Sequence, residues 1–350
     1  MKKENEIKGF VQLGKLMIAL GKEEAWTGFS IGATEDEYSR IQNVIARQFS
    51  YNGWFSKENV LQSLNSLGEL LTEEKLTNWL KDYSFTSTPS RVGIIMAGNI
   101  PLVGFHDFLC VLLSGNIAVC KLSSDDNTLL PVLAEHLIQF APTLKERIIF
   151  SMGKLGEIEA IIATGSDNSV QYFEQYFGKY PHLFRKNRTS IAIFTGNETK
   201  EELTKLGIDI FSYFGLGCRN VSHLLLPDGF ELNRFFEAIV DFHTIVNHHK
   251  YANNYDYNKA VYLMNLMEIL DNHFVLLRET DELFSPLSMV HYHYYSEQSE
   301  VDTYLENHSD KIQAVIGQKY IPFGEAQAPK LTDYADGVNV MEWLKDLNHK

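Results

Sequence analysis

The chain has 350 residues, 45% hydrophobic and 22% charged, enough apolar content to bury a sizeable core and to form two domains. Its formal net charge of −14 argues against general affinity for nucleic acid or anionic membranes, so an anionic substrate needs local cations. No signal-peptide core follows Met1. The longest apolar segment, residues 103–119, is broken by His106, Asp107, Ser114 and Asn116, which suits a buried helix and strand better than a membrane span. Of three cysteines, Cys110 and Cys120 lie in apolar patterns and Cys218 in a glycine loop. No Cys-x-x-Cys or Cys/His metal spacing occurs, which predicts a cytoplasmic, reducing location and no metal.

Residues 1–85 read as a helical region. Thr34 and Glu37 are spaced as a capping box, and Val60, Leu61, Leu64 and Leu67 form one helical face. From Arg91 the pattern alternates: strand 92–97, helix 104–113, strand 117–121, helix 127–140, strands 147–150 and 160–164, helix 169–177. A second α/β stretch begins near Arg188, with strand 190–194, helix 198–206, the Cys218 loop and strand 221–226. The expected fold class is therefore α/β, two lobes with parallel sheets behind a helical N-terminal region. The expected domains are residues 1–85, 86–187 for cofactor binding, 188–320 for catalysis, and a tail over 321–350.

Phe214-Gly215-Leu216-Gly217-Cys218 sets a cysteine after two glycines, where the backbone bends tightly and a substrate can approach. The plain alternative is a small buried cysteine beside a turn. Gly98-Asn99-Ile100-Pro101 follows a strand, at the carboxyl end where open α/β sheets place ligands, and its amide can donate to an oxyanion; an ordinary turn reads the same way. Lys121-Leu122-Ser123-Ser124 and Thr164-Gly165-Ser166 follow later strands, with a solvated strand end and a helix cap as their alternatives. Neither a Gly-x-Gly-x-x-Gly nor a P-loop motif is present. His248-His249 and the alternating His291 and His293 lack an acidic partner at metal spacing, and Arg185-Lys186-Asn187-Arg188 reads as a solvated basic turn.

Taken in order, Gly98-Asn99-Ile100-Pro101, Lys121, Thr164-Gly165-Ser166, Cys218 and Glu282-Leu283-Phe284-Ser285-Pro286 resemble the motifs of the aldehyde dehydrogenase family. Gly217-Cys218-Arg219-Asn220-Val221-Ser222, Ile321-Pro322-Phe323-Gly324 and Asp336-Gly337 narrow the resemblance to acyl-CoA reductases of the LuxC type. The resemblance implies an aldehyde-dehydrogenase-like fold, Cys218 as nucleophile and Asn99 in the oxyanion hole. It implies Lys121 and Glu282 at the cofactor ribose hydroxyls, with Gly165 and Ser166 beside the pyrophosphate. Two departures stand out. Ile193 occupies the place of the general base in carboxylate-forming relatives, and Ser285 replaces the usual glycine. Ser124 stands where NAD-preferring relatives commonly carry a glutamate, so NADPH is expected, with NADH admissible. The expected reaction reduces an acyl-CoA or acyl-carrier thioester to an aldehyde through a thioester on Cys218. Carboxylate-forming oxidation and a catalytically silent nucleotide-binding or assembly protein are the alternatives. A homo-oligomer is allowed; nucleic acid is not an expected partner.

Overall fold

The computed structural model describes residues 2–84, 88–151 and 153–347. The chain divides into two units, Met1–Lys186 with Lys330–Lys350, and Asn187–Pro329. The expected boundary between residues 85 and 86 lies outside the described residues.

In the first unit, helices α1 (Lys2–Gly21), α2 (Glu35–Ala46), α3 (Gln48–Tyr51), α4 (Lys57–Leu70) and α5 (Glu73–Leu80) precede the strands. The capping box at α2 is formed: Thr34 N–H donates to Glu37 Oε2 at 2.8 Å and Glu37 N–H to Thr34 Oγ1 at 3.2 Å. Val60 and Leu64 of α4 are fully buried, with Leu61 and Leu67 packed at the margin of the same core. Helices α1 and α4 approach closely at two glycines. A Cβ on Gly14 would stand 2.7 Å from Leu71 Cβ, and one on Gly68 would stand 2.9 Å from Gly14 O.

Next come β1 (Arg91–Ile95), α6 (Phe105–Leu113), β2 (Ile117–Lys121), α7 (Leu129–Phe140), β3 (Ile148–Phe150), β4 (Ala160–Thr164), α8 (Asp167–Phe177) and β5 (His182–Arg185). They build a sheet in the order β3-β2-β1-β4-β5 with every pairing parallel. Strands buried on both faces read as continuous apolar runs, as Ala160–Thr164 does. The chain steps outward from β1 to β3, then resumes at β4 on the other side of β1. The carboxyl ends of β1 and β4 therefore flank a topological switch point, where open α/β sheets take ligands.

The expectation of a solvated basic turn fails at Arg185. It ends β5 and is largely buried, with its guanidinium bidentate on Asp107 of α6 at 2.6 and 2.7 Å. Pairing of β5 with β4 fixes where this side chain points, and the matched carboxylate offsets its desolvation. The segment 321–350, set apart by sequence as a tail, is divided between the units at Pro329 and Lys330. Leu331, Tyr334, Val340, Met341 and Leu344 are buried in the core of the first unit. Trp79 Nε1 donates to Tyr334 Oη at 2.8 Å, and His106 Nε2 to Leu331 O at 3.0 Å.

The second unit contains β6 (Thr189–Ile193), α9 (Lys200–Phe211), β7 (Val221–Pro227), α10 (Leu232–Ala238), α11 (His249–Met264), β8 (Leu270–Asp271), β9 (Leu276–Glu279), β10 (Met289–Tyr295), α12 (Gln298–Asn307) and β11 (Ile312–Ile316). Its sheet runs β11-β6-β7-β10-β9-β8, parallel except for the β8–β9 pair. The α/β class with parallel sheets and a helical N-terminal region is thus the observed one. Among the described residues no helix is long and apolar enough to cross a membrane, and no group of three or more His, Cys, Asp or Glu side chains is arranged to hold a metal.

Parallel pairing sets His223 of β7 beside His291 of β10. His223 Nδ1 and His291 Nδ1 both lie within hydrogen-bond distance of Glu282 O, at 3.0 and 2.8 Å. A carbonyl only accepts, so both nitrogens carry their protons. His223 Nε2 is then the acceptor of the 2.8 Å bond from His293 Nδ1. Burial, with His293 alongside, depresses the His223 pKa to about 3.

Two measurements follow from these buried polar groups. Arg185→Met leaves Asp107 buried without its partner and should lower the unfolding free energy by about 3–5 kcal/mol in urea titrations. His223 stays neutral when folded, while the unfolded chain takes up a proton near pH 6.5. Its stabilising contribution is present above that pH and lost as pH falls through it toward 3. Between pH 6 and 4, His223→Gln should therefore flatten the stability-versus-pH slope by about 1.4 kcal/mol per pH unit relative to wild type.

Candidate active site

Cys218 is exposed, whereas Cys110 and Cys120 are buried and their thiols are pushed up by desolvation. Helix α9 ends at Phe211, and the chain then turns through three left-handed residues: Tyr213 (φ 52°), Phe214 (φ 58°) and Gly215 (φ 81°). Glycine takes that conformation freely; the two aromatic residues do so at roughly 1–2 kcal/mol each. Such a turn persists only where surrounding bonds over-determine it.

Asn220 supplies those bonds. Its buried Oδ1 accepts Gly217 N–H at 2.8 Å. Its Nδ2 reaches the carbonyls of Ser212 at 2.9 Å, Asp209 at 3.0 Å and Ile210 at 3.3 Å, so one side chain ties the end of α9 to the residue before Cys218. Ser190 Oγ of β6 donates to Cys218 O at 3.0 Å. Arg219 Nε donates to Ala326 O. Asp209 accepts the N–H groups of Gly324 and Ala326 at 2.7 and 2.9 Å. Burial nevertheless pushes the Asp209 carboxyl up to about 6. Beside the turn lies a cavity of about 250 Å³ lined by Phe211, Phe214, Leu216, Tyr251, Pro286 and Met289 among others.

Glu282 also belongs to the second unit, in the loop between β9 and β10. Its carboxylate is largely exposed and pairs with Arg278 Nη1 at 3.2 Å. The backbone beneath it is tightly held: the two histidines take its carbonyl, and Tyr304 Oη donates to Asp281 O at 3.2 Å. Ser285, the departure from glycine, donates its hydroxyl to Met289 O at 2.7 Å.

The other predicted residues lie in the first unit, on loops at the carboxyl ends of strands. Asn99 follows β1. Lys121 ends β2 and is exposed, with Ser123 and exposed Ser124 just beyond it. Ser123 Oγ accepts Asp125 N–H at 3.2 Å, and Ser124 O accepts from Asn127 Nδ2 at 3.3 Å. Gly165 and Ser166 follow β4, and Ser166 Oγ caps α8 by accepting Ser169 N–H at 3.3 Å. A dinucleotide fits this set. The β4 loop opens a helix whose N-terminal N–H groups suit a phosphate, the switch point lies beside it, and an exposed cation stands on β2.

Sequence reasoning missed Asn220, Asp209 and the His223 pair. The signal for Asp209 was a polar residue inside the apolar run 206–211, and Asn220 stood within the cysteine motif, but neither pattern shows which backbone groups a side chain satisfies.

A family model for acyl-CoA reductase (LuxC) matches residues 33–175. No curated protein matches the sequence. Solved structures with the same fold include a Mycobacterium tuberculosis aldehyde dehydrogenase complexed with NAD+, at 12% identity, TM-score 0.58, covering 88% of this chain and 72% of that one. Aldehyde dehydrogenase 21 from Physcomitrella patens, in complex with the reaction product succinate, is 12% identical with TM-score 0.63, covering 98% and 84%. The indole-3-acetaldehyde dehydrogenase AldA of P. syringae is 10% identical with TM-score 0.62, covering 90% and 72%. Residues 33–175 thus match the acyl-CoA reductase (LuxC) family model, and the chain shares its fold with these aldehyde dehydrogenases.

Proposed function

We propose that the protein reduces an acyl thioester, an acyl-CoA or an acyl-carrier thioester, to an aldehyde, using Cys218 as nucleophile and a nicotinamide cofactor, NADPH by preference. The observation that carries this reading is the exposed Cys218 thiol just after a left-handed turn held by Asn220. The Cys218 thiolate attacks the acyl carbon, the bond to the carrier sulfur breaks, and the carrier leaves as its thiolate. Asn99 donates to the oxygen that gains charge in that step. When bound, the reduced nicotinamide supplies the hydride that turns the Cys218 thioester into a thiohemiacetal, and collapse of that species releases aldehyde and regenerates the thiolate. Lys121, Ser123, Ser124, Gly165 and Ser166 bind the cofactor, with Glu282 at a ribose. The cavity beside the cysteine turn suits the apolar part of an acyl group.

Release as aldehyde rather than acid needs the thioester to survive water. Ile193, in the place of the general base, is buried at the end of β6 and cannot take a proton. Glu198, the acidic side chain near it in sequence, is buried and accepts from Thr195 N–H, Thr195 Oγ1 and Gly196 N–H. Its oxygens are committed to the turn.

With acyl-CoA and no reduced cofactor, intact-mass spectrometry should detect one acyl group on Cys218, and added NADPH should release it as aldehyde. Rapid release of free acid instead identifies a carboxylate-forming enzyme; no adduct and no turnover across chain lengths identifies a silent binding protein. Cys218→Ala should abolish the adduct and leave cofactor binding intact.

Ser124 is exposed and uncharged, so it does not repel a 2′-phosphate. Wild type should show higher kcat/KM with NADPH than with NADH, and Ser124→Glu should reverse or erase that preference. Equal efficiency with the two cofactors in wild type removes Ser124 from cofactor selection.

A further inference from the structure

The turn Gly98-Asn99-Ile100-Pro101 is held from three directions within the first unit. Asn52 Nδ2 reaches Gly98 O at 3.4 Å, Ser63 Oγ of α4 donates to Pro101 O at 2.7 Å, and Asp126 Oδ2 accepts Leu102 N–H at 2.7 Å. Gly98 lies against the loop after β2, where a Cβ would stand 2.6 Å from Ser123 Oγ. Leu102 takes a left-handed conformation, φ 59°, unfavourable for a residue with a γ-branched side chain, and that side chain is buried in the core.

Asp126 is the unusual member of this set. It is only 7% exposed, and its second oxygen, Oδ1, is buried with no hydrogen-bond partner. Burying a carboxyl on one backbone N–H is costly, and burial pushes its pKa up to about 6. An apolar residue would spare that cost but leave Leu102 N–H unsatisfied and the left-handed residue without its restraint.

We propose that Asp126 is a positioning residue for the reaction: by holding Leu102 N–H it locks the left-handed residue that closes the turn, and so fixes where the Asn99 amide sits. Ser63 and Asn52 brace the same turn from the helical N-terminal region, which gives those helices a part in the chemistry besides filling the core. The proposal rests on the reading of Asn99 as the oxyanion donor. A donor acts only where it meets the developing charge, and a shift of about 1 Å can cost roughly 100-fold in rate.

The test compares Asp126→Ala, Asp126→Asn, Asn99→Ala and the double variant Asp126→Ala/Asn99→Ala. Turnover is measured with whichever acyl-CoA, from acetyl to hexadecanoyl, wild type reduces fastest with NADPH. Asp126→Ala should lower kcat roughly 10- to 100-fold with KM within about threefold. Asp126→Asn, whose amide oxygen accepts the same N–H, should keep kcat within about threefold of wild type. In the Asn99→Ala background, Asp126→Ala should cost less than about twofold more, because both changes remove the same contribution. Hydrogen exchange over residues 98–104 should accelerate in Asp126→Ala and remain slow in Asp126→Asn. If Asp126→Ala does not fold, Asp126→Ser takes its place in every arm.

Multiplying effects in the double variant, equal damage from Asp126→Asn and Asp126→Ala, or an unchanged kcat in Asp126→Ala while Asn99→Ala is impaired each overturn the positioning role. An unchanged kcat in Asn99→Ala overturns the oxyanion reading itself, and the two failures are thereby told apart.

Discussion

The cysteine loop depends on one buried amide. The left-handed turn through Tyr213, Phe214 and Gly215 is unfavourable by itself, and Asn220 offsets it by accepting Gly217 N–H while donating toward the last carbonyls of α9. A helix end leaves carbonyls without intrahelical partners, and here one side chain meets several of them. It ties the end of α9, the turn and the start of β7 to one another. Asp209 extends the anchoring by gripping Gly324 and Ala326, and Arg219 returns a bond to Ala326.

The same device recurs where the chain must leave regular structure. Asp126, Ser63 and Asn52 hold the Asn99 turn, and His223, His291 and Tyr304 hold the backbone at Asp281 and Glu282. In each case a buried polar side chain satisfies backbone groups that no strand or helix can. Loops at the ends of parallel strands carry function because they are free of the ladder, and that freedom must be removed by side chains if a group is to be placed within a fraction of an ångström.

The two departures from the aldehyde dehydrogenase pattern take different physical forms. Ile193 sets an apolar side chain in the buried end of β6, where the resemblance implies a proton acceptor. Ser285 is an accommodation: its hydroxyl finds Met289 O, so a side chain is absorbed where relatives have none. In the proposed reaction the first bears on which product is released, and the second bears on the shape of the loop that carries Glu282.

Much was legible in the sequence by itself. The alternation of apolar runs and amphipathic stretches from Arg91 identified the α/β class, since strands buried on both faces and helices covering them leave distinct periods. The Thr34–Glu37 box was readable because a cap is a local bond between near neighbours in the chain. The ordered motifs around Asn99, Lys121, Gly165, Cys218 and Glu282 carried the family resemblance. Tertiary structure alone decided the rest. Arg185 looks like a solvated charge until strand pairing turns it onto Asp107, 78 residues away. His223 and His291 become a pair only through the register of β7 and β10. Residues 331–347 join the first core because their apolar side chains find a buried surface there, which no local pattern specifies. Local bonds and periodicities are written in neighbouring residues; which buried polar group meets which distant backbone atom is fixed only when the whole chain has packed.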